Sequence, residues 1–374
     1  MDNNVKDSRA ERFKNVDILR FIFAVIILYF HLARNDIFKH GSELCNNILY
    51  PTSADSCYAV GLFLVIAGFF LFKEFNEKKE RTWTDFALNK ISRLWPVLAF
   101  SVLAALILHI FYATQFSFGS EVFSLLFLKC TGVTLEYTGI NWFISPYFWV
   151  MLFYFYVLKH FKFDKANFII ALIIYFSTVA SVNYFHGRFD RETFALFFSG
   201  GMLYCLAGIG LGYFIGLFYE KVKNCSEIFK TAAQKFIKFV IVSVIELCSF
   251  SFIIYHFFFK PLNNDNKIIY MIILSVLFFC FLIKQGLLSK IFNNNISEFL
   301  GKYSYSIYVM QQVAFDIMGI TLWKHTDFLA NYPVISTVLS LLIAVLTGIF
   351  TYHLVEVPGG KFLRAVFKNI KEKI

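Results

Sequence analysis

Long apolar runs recur along the whole 374-residue chain, and they constrain its fold more than any other feature of the sequence. Each run holds roughly 17 to 25 residues, which is enough for a helix to cross a hydrocarbon core about 30 Å thick. Charged residues make up only 16% of the chain, against roughly 25% in an average soluble domain. We therefore expect an all-helical integral membrane protein rather than a soluble enzyme.

The apolar runs predict about ten transmembrane helices, at 16–33, 57–72, 94–113, 142–158, 167–185, 194–218, 239–259, 268–283, 303–322 and 333–355. The segments between them alternate in charge. One side holds 26 of the 35 Lys and Arg residues and the other side holds eight, with Arg20 inside the first span. By the positive-inside rule both termini are cytoplasmic. Because this topology accounts for the net charge of +10, we expect membrane lipids and no nucleic acid as partners.

The predicted organisation is a cytoplasmic segment at 1–15, one transmembrane domain at 16–358 and a basic cytoplasmic tail at 359–374. No small-residue cleavage site follows the first apolar run, so we interpret it as a retained helix rather than a signal peptide. The seven cysteines show no CxxC pair and no zinc spacing, and no metal site is predicted. Cys45 and Cys57 share an outward loop and are compatible with a disulfide or with two free thiols.

The first predicted helix contains three ionisable residues, Asp17, Arg20 and His31. Such residues are costly inside a membrane, which makes them candidates for function. The eleven steps from Arg20 to His31 correspond to about three helical turns, so the two side chains share one face and lie about 16 Å apart along the axis. The spacing alone leaves two interpretations open: a polar face with a function, or an interfacial Asp17–Arg20 salt bridge with His31 at a helix end.

Five motifs, in order along the chain, resemble those of membrane-bound acyltransferase family 3. They are Arg20-x10-His31, a hydrophobic run that ends at Gly68-Phe69, Lys90-x-x-Arg93 followed by Pro96, Ser304-Tyr305 followed by Tyr308, and Glu356-x-Pro358. Bacterial members of that family O-acetylate surface polysaccharides and related glycans. The resemblance covers essentially the whole chain and implies a multi-pass protein of the bacterial inner membrane that transfers an acyl group, expected to be acetyl, from acetyl-CoA to a glycan or lipid-linked saccharide.

The resemblance also implies roles for individual residues. His31 is the expected catalytic residue, as general base or as acyl acceptor, and the sequence does not separate the two. Arg20, Lys90 and Arg93 are expected to bind the phosphates of the acyl-CoA, with Lys90 and Arg93 in a solvated cytoplasmic loop. The supporting residues are Asp17, Glu136, Trp142, Ser304, Tyr305 and Glu356.

The chain departs from the family pattern at several positions. Ala67 replaces a Ser, Lys90 an Arg and Gln311 a frequent His, and no acid follows Trp142, while Glu136 lies upstream of it. These changes favour a divergent acceptor site. Some members carry a C-terminal esterase-like domain that this chain lacks, so we expect transfer to finish in the membrane domain or on a separate extracytoplasmic partner.

Other interpretations remain open from the residues alone. A polytopic transporter or glycan flippase would use Asp17, Arg20 and His31 as a polar path, and a membrane scaffold would use them for packing. Two further carboxylates inside predicted spans, Glu246 and Asp316, are interpreted first as hydrogen-bond partners between helices. The glycines of the sixth span are interpreted as helix-packing positions.

The topology prediction can be tested by cysteine labelling in intact cells. Single cysteines at positions 39, 188 and 324 should react with an impermeant thiol reagent, because these positions lie outside in the ten-helix topology. Cysteines at 78, 230, 290 and 371 should be protected until the cells are opened. Labelling at position 230 in intact cells would contradict the topology.

Overall fold

The computed structural model describes residues 13–34, 57–132, 141–185, 194–195, 198–224, 231–258, 267–324, 327 and 331–372. In chain order the helices are α1 Lys14–Arg34, α2 Cys57–Glu77, α3 Trp83–Tyr112, α4 Phe118–Leu125, α5 Ile144–His160, α6 Phe163–Phe185, α7 Gly200–Asn224, α8 Ala232–Phe258, α9 Lys267–Ile283, α10 Leu287–Ile291, α11 Asn295–Gly301, α12 Ser304–Ile320, α13 Pro333–Thr351 and α14 Val357–Lys371. A 3₁₀ turn, Leu322–Lys324, follows α12, and a π-helical segment, Tyr352–Glu356, joins α13 to α14. Within the described ranges the strands are β1 Phe194–Ala195 and β2 Phe198–Ser199, which pair antiparallel.

The described part of the chain is almost entirely helical, as the apolar runs predict. Among the described residues, seven helical segments are long and apolar enough to cross a membrane: Lys14–Leu32, Ala59–Glu77, Trp83–Tyr112, Phe163–Ser181, Gly200–Lys223, Ala232–Phe257 and Val334–Lys371. The chain is therefore a multi-pass membrane protein. Three other predicted spans correspond to the 17-residue helices α5, α9 and α12. The count of ten, the cytoplasmic termini and the domain boundaries stay predictions.

Helix α3 begins eleven residues earlier than the sequence pattern predicts. The Thr82 hydroxyl accepts a hydrogen bond from the backbone N–H of Asp85 at 3.1 Å, which caps the first turn. The helix then runs through Pro96 without ending. Lys90 and Arg93 consequently lie on a helix, and their expected location in a solvated loop is wrong. Charged residues in the first turns of α3 precede the apolar run, and for this reason the sequence pattern places the helix start too late.

Helices α2 and α7 pack closely through glycines, as predicted for the sixth span. A Cβ atom at Gly68 would overlap the Ile209 backbone, and one at Gly212 would overlap the Val65 carbonyl. Gly208 lies against Leu64 in the same interface. Residue numbers rise together along both helices, so the two helices are parallel. Close backbone contact supplies the van der Waals attraction that holds membrane helices together.

Helices α1 and α12 begin at the same end of the bundle. The Cβ and backbone of Asp17 pack directly on Gly301, at the end of α11. In the same region the Asn15 side chain donates to the backbone carbonyl of Phe281, at the end of α9. This arrangement places the polar start of α1 beside the start of α12.

Glu246 has a structural role, which confirms its interpretation as a hydrogen-bond partner. It is fully buried on α8, and its Oε2 accepts from the backbone N–H groups of Leu288 at 2.8 Å and Ser289 at 3.3 Å. The carboxylate therefore satisfies free donors at the start of α10. Glu136, Cys45 and His186 lie outside the described residues.

The glycine contacts predict a loss of stability on adding one methyl group. Gly68→Ala and Gly212→Ala should each destabilise the protein by about 1–3 kcal/mol or more, because backbone atoms of the partner helix occupy the space. Gly319→Ala is the matched control, since its nearest neighbour, Trp323, is 3.4 Å from the added atom. The measurement is the thermal unfolding midpoint in detergent. Equal midpoints for all three variants would contradict the packing.

Candidate functional site

A cavity of about 220 Å³ lies between α1, α2, α3, α5 and α12. Its lining residues are Arg20, Phe63, Ile66, Ala67, Phe70, Lys90, Arg93, Leu94, Phe143, Ile144, Tyr147, Met151, Ser304, Tyr305 and Tyr308. The cavity thus brings together the three predicted donor-binding residues and two of the predicted supporting residues. These side chains are far apart in sequence and come from three different helices.

Lys90 is the most restrained of the three cations. It is 6% exposed, its Nζ lies 3.4 Å from Oε2 of Glu74, and it stacks over the Phe86 ring at 4.7 Å. Arg81 binds the other oxygen of Glu74. Arg81 lies in the short connection between α2 and α3, where partial burial lowers the pKa of its guanidinium and nearby Asp85 opposes that shift. One carboxylate therefore holds two cations at this end of the cavity.

Arg20 is held by a second carboxylate. Its Nη1 lies 3.3 Å from Oδ1 of Asp17, one helical turn earlier. Asp17 is 9% exposed and does not line the cavity. The predicted Asp17–Arg20 pair is thus formed, with Asp17 positioning the guanidinium rather than meeting a ligand itself.

A third carboxylate, Glu356, comes from the π-helical segment. Its Oε2 accepts a hydrogen bond from the Ser306 hydroxyl at 2.5 Å, and its charge interacts with those of Arg93 and Arg20. π-Helical turns inside α-helices are frequent at functional sites. Glu356 therefore balances the two arginines from outside the cavity lining.

Arg93 differs from the other two cations. It is exposed, it lines the cavity, and no salt bridge to it is formed within the described ranges. Its guanidinium carries five N–H donors in a fixed fork that matches phosphate or carboxylate geometry. Arg93 is the cation of this cavity best placed to meet an incoming anion.

The start of α12 is fixed by hydrogen bonds to backbone carbonyls. Tyr305 donates its hydroxyl proton to the Leu94 carbonyl at 2.7 Å, and Ser304 donates to the Gly301 carbonyl at 2.8 Å. Tyr305 thereby joins α12 to α3 beside Arg93. Both residues shape the cavity wall at the positions that the motif predicts.

His31 does not line this cavity. It lies on the same face of α1 as Arg20 but about 16 Å farther along the helix, where its ring packs edge-on against Phe30 at 5.1 Å. At the end of the cavity nearer His31, Phe143 and Tyr308 form an edge-to-face pair at 4.8 Å. The basic cavity and the predicted catalytic histidine are thus separate in this structure.

Trp142 has a packing role in this structure. It is 4% exposed, lies outside the cavity lining, and its indole occupies the space above Gly201 on α7. Sequence reasoning did not single out Tyr147 or Met151, which line the cavity from α5. No signal in the sequence marks them, because α5 is apolar around its whole circumference.

Three other described histidines, His109, His160 and His353, have hydrogen-bond partners away from the cavity lining. The Nδ1 atom of His109 contacts the Thr114 carbonyl, and that of His160 lies 3.0 Å from the Tyr156 carbonyl. His353 pairs with the Tyr303 hydroxyl at 3.2 Å. Among the residues that the structure describes, no group of three or more His, Cys, Asp and Glu side chains could hold a metal ion.

Comparison with known proteins gives one match. A family model described as an acyltransferase domain, that of acyltransferase family 3, matches residues 13–353. No curated protein and no solved structure matches the chain. The matched range includes Arg20, His31, Lys90 and Arg93, and it ends before Glu356.

Proposed function

The chain belongs to acyltransferase family 3, and from this membership we propose that it transfers an acetyl group from cytoplasmic acetyl-CoA to a hydroxyl of a surface glycan or lipid-linked saccharide. The observation that carries the proposal is the basic cavity, in which Arg20, Lys90 and Arg93 meet from two helices. We place the protein in a bacterial inner membrane. A separate extracytoplasmic protein is a further possible acyl recipient.

The cavity suits the donor in charge and in shape. CoA carries several phosphate charges, and Arg93 offers it a bidentate donor pair that no described carboxylate occupies. Phe63, Phe70 and Met151 supply apolar wall for the uncharged pantetheine arm. At about 220 Å³ the cavity is smaller than the roughly 300–1,000 Å³ that encloses a drug-sized ligand. It would therefore hold one part of CoA while the rest stays outside.

The acyl end of the donor would travel along α1 from Arg20 towards His31. The two side chains share a helix face, and on this face Ala24 and Ile27 lie between them, buried in apolar contacts. We propose that this apolar packing opens when the donor binds, since the arm has to pass along it.

Two chemical steps at His31 are compatible with the proposal. As general base, the imidazole takes the proton of the acceptor hydroxyl while the oxygen attacks the thioester carbon, the carbon–sulfur bond breaks and the proton passes to the CoA thiolate. As nucleophile, a ring nitrogen attacks the thioester carbon, the carbon–sulfur bond breaks and the CoA thiolate takes the ring N–H proton. The acceptor hydroxyl then attacks the acyl carbon, the carbon–nitrogen bond breaks and the hydroxyl proton passes to the ring. Both routes return neutral His31.

The family membership supports acyl transfer over a transporter in which Asp17, Arg20 and His31 form a polar path. The arrangement of the cations agrees with this preference. Asp17 is occupied by Arg20, and the charges cluster at one end of the bundle. A polar path would need partners along the whole length of α1, where Phe23, Ala24 and Ile27 are instead buried in apolar contacts.

The donor site can be tested by acetyl-CoA titration of purified protein. Arg93→Ala should weaken binding by about tenfold or more, because charge-assisted hydrogen bonds contribute about 1.5–3 kcal/mol each. Its unfolding midpoint should stay unchanged, because the side chain is exposed. Lys90→Ala should weaken binding and also lower the midpoint, because it breaks a buried pair with Glu74. Lys368→Ala, which removes an exposed cation on α14, is the control. A wild-type dissociation constant for Arg93→Ala would remove the assigned donor site.

The catalytic role of His31 can be tested by His31→Gln. Proton transfer by a positioned side chain contributes about 10²–10⁴ in rate, so turnover should fall by two orders of magnitude or more. Acetyl-CoA binding should persist, since the basic cavity lies about 16 Å away along α1. His109→Gln is the matched control, because His109 contacts the Thr114 carbonyl and the Phe116 ring and does not line the cavity. Near wild-type transfer by folded His31→Gln protein would exclude both chemical steps.

A further inference from the structure

Polar side chains continue along α12 beyond the cavity. Gln311, Gln312 and Asp316 follow Tyr308 on the helix, Asn141 approaches from the start of α5, and Trp323 lies just past the helix end. We call these five residues the α12 polar track. None of them lines the basic cavity.

Buried polar atoms without a hydrogen-bond partner concentrate in this track. Ten such side-chain atoms occur in the described part of the chain, and five of them belong to the track: Oδ1 of Asn141, Oε1 and Nε2 of Gln311, Oδ2 of Asp316 and Nε1 of Trp323. Gln311 is fully buried. Each buried unsatisfied polar group costs about 1–3 kcal/mol. A cluster of them is therefore expected to meet a polar ligand.

Gln312 and Asp316 continue the side of α12 on which Tyr305 and Tyr308 line the cavity. At about 100° per residue they lie roughly 40° and 80° to one side of Tyr308, whereas Gln311 lies roughly 60° to the other side. The Nε2 of Gln312 donates to Oδ1 of Asp316 at 3.3 Å. The Nδ2 of Asn141 donates to the Val309 carbonyl at 3.3 Å, which brings Asn141 onto the same side. Gln312, Asp316 and Asn141 thus form a polar continuation of the cavity wall.

The track and His31 lie at the same height in the bundle. Arg20 and Tyr305 line one cavity, and α1 and α12 both run away from it. Asp316 is eleven residues beyond Tyr305 and His31 is eleven residues beyond Arg20, so each lies about 16 Å from the basic end. A ligand in the track would therefore reach the level of the imidazole from the side opposite to the donor phosphates.

The chemistry of the free atoms indicates the class of ligand. Three are acceptors and two are donors, which suits neutral hydroxyl groups, because a hydroxyl both donates and accepts. The five residues include a carboxylate and no Lys or Arg, and this charge disfavours binding of a phosphate. The Trp323 indole adds an apolar face against which a sugar ring can pack.

We propose that the α12 polar track binds the acyl acceptor, a saccharide with free hydroxyl groups. The proposal rests on the proposed function and adds the acceptor site to it. Hydroxyl hydrogen bonds to Asp316 and Asn141 would hold the sugar, with Trp323 at the entrance. The donor and acceptor sites then lie at opposite ends of one continuous polar wall of α12.

The experiment uses full-length protein in nanodiscs, radiolabelled acetyl-CoA and, as acceptor, the glycan fraction extracted from cells that lack the gene. Label incorporation is measured against glycan concentration for the wild type, Asp316→Asn and Trp323→Phe. We expect the apparent KM for glycan to rise by about tenfold in both variants, through loss of hydrogen bonds to the sugar. The acetyl-CoA dissociation constant should stay unchanged. Ser340→Ala is the matched control, since Ser340 Oγ is also buried and unpartnered but lies on α13.

The outcomes separate the two proposals. Label incorporation with a wild-type KM in both track variants would overturn the acceptor site and leave acyl transfer standing. An equal KM rise in Ser340→Ala would also overturn it, because the effect would then be a general loss of packing. Wild-type protein that transfers no label would overturn the proposed function and the acceptor site together.

Discussion

The arrangement of this protein depends on the cost of placing ionised side chains inside an apolar bundle. Two cations that line the cavity are paired with a carboxylate: the partly buried Arg20 with Asp17, and the buried Lys90 with Glu74. Removing one partner of such a pair leaves an uncompensated charge in a low-dielectric interior. The Lys90–Glu74 pair therefore holds α3 against α2, while the Asp17–Arg20 pair balances charge within α1.

The same constraint decides which charge is left for a ligand. Arg93 is exposed and forms no salt bridge within the described ranges, while the Glu356 carboxylate interacts with it without binding it directly. An anion that enters the cavity would complete this set of charges. Acyl transfer needs a donor whose phosphates stay in water and whose acyl end enters the membrane. A basic cavity at one end of an apolar bundle meets that need.

Much of the site was predictable because membrane helices make ionisable residues conspicuous. Arg20, Lys90 and Arg93 stand out in apolar or nearly apolar sequence, and all three line one cavity. The location of Lys90 was not predictable in this way. The charged residues at 78–90 suggest a solvated loop. In the structure Thr82 caps a helix that begins there, and the Lys90 ammonium group is buried in a pair with Glu74. The position of Tyr147 in the cavity wall was not predictable either, since one tyrosine in an aromatic-rich helix has no distinctive pattern.

The sequence by itself determined the class of protein, the helices and the polar face of α1, because hydrophobic run length and the 3.6-residue helical period are local properties. Only the tertiary structure decided which side chains share a cavity and which carboxylate balances which cation. It also decided that His31 lies apart from the basic cavity and that unpartnered polar atoms collect beyond Tyr308 on α12. Those features depend on how helices from distant parts of the chain pack together, and no local pattern in the sequence encodes that packing.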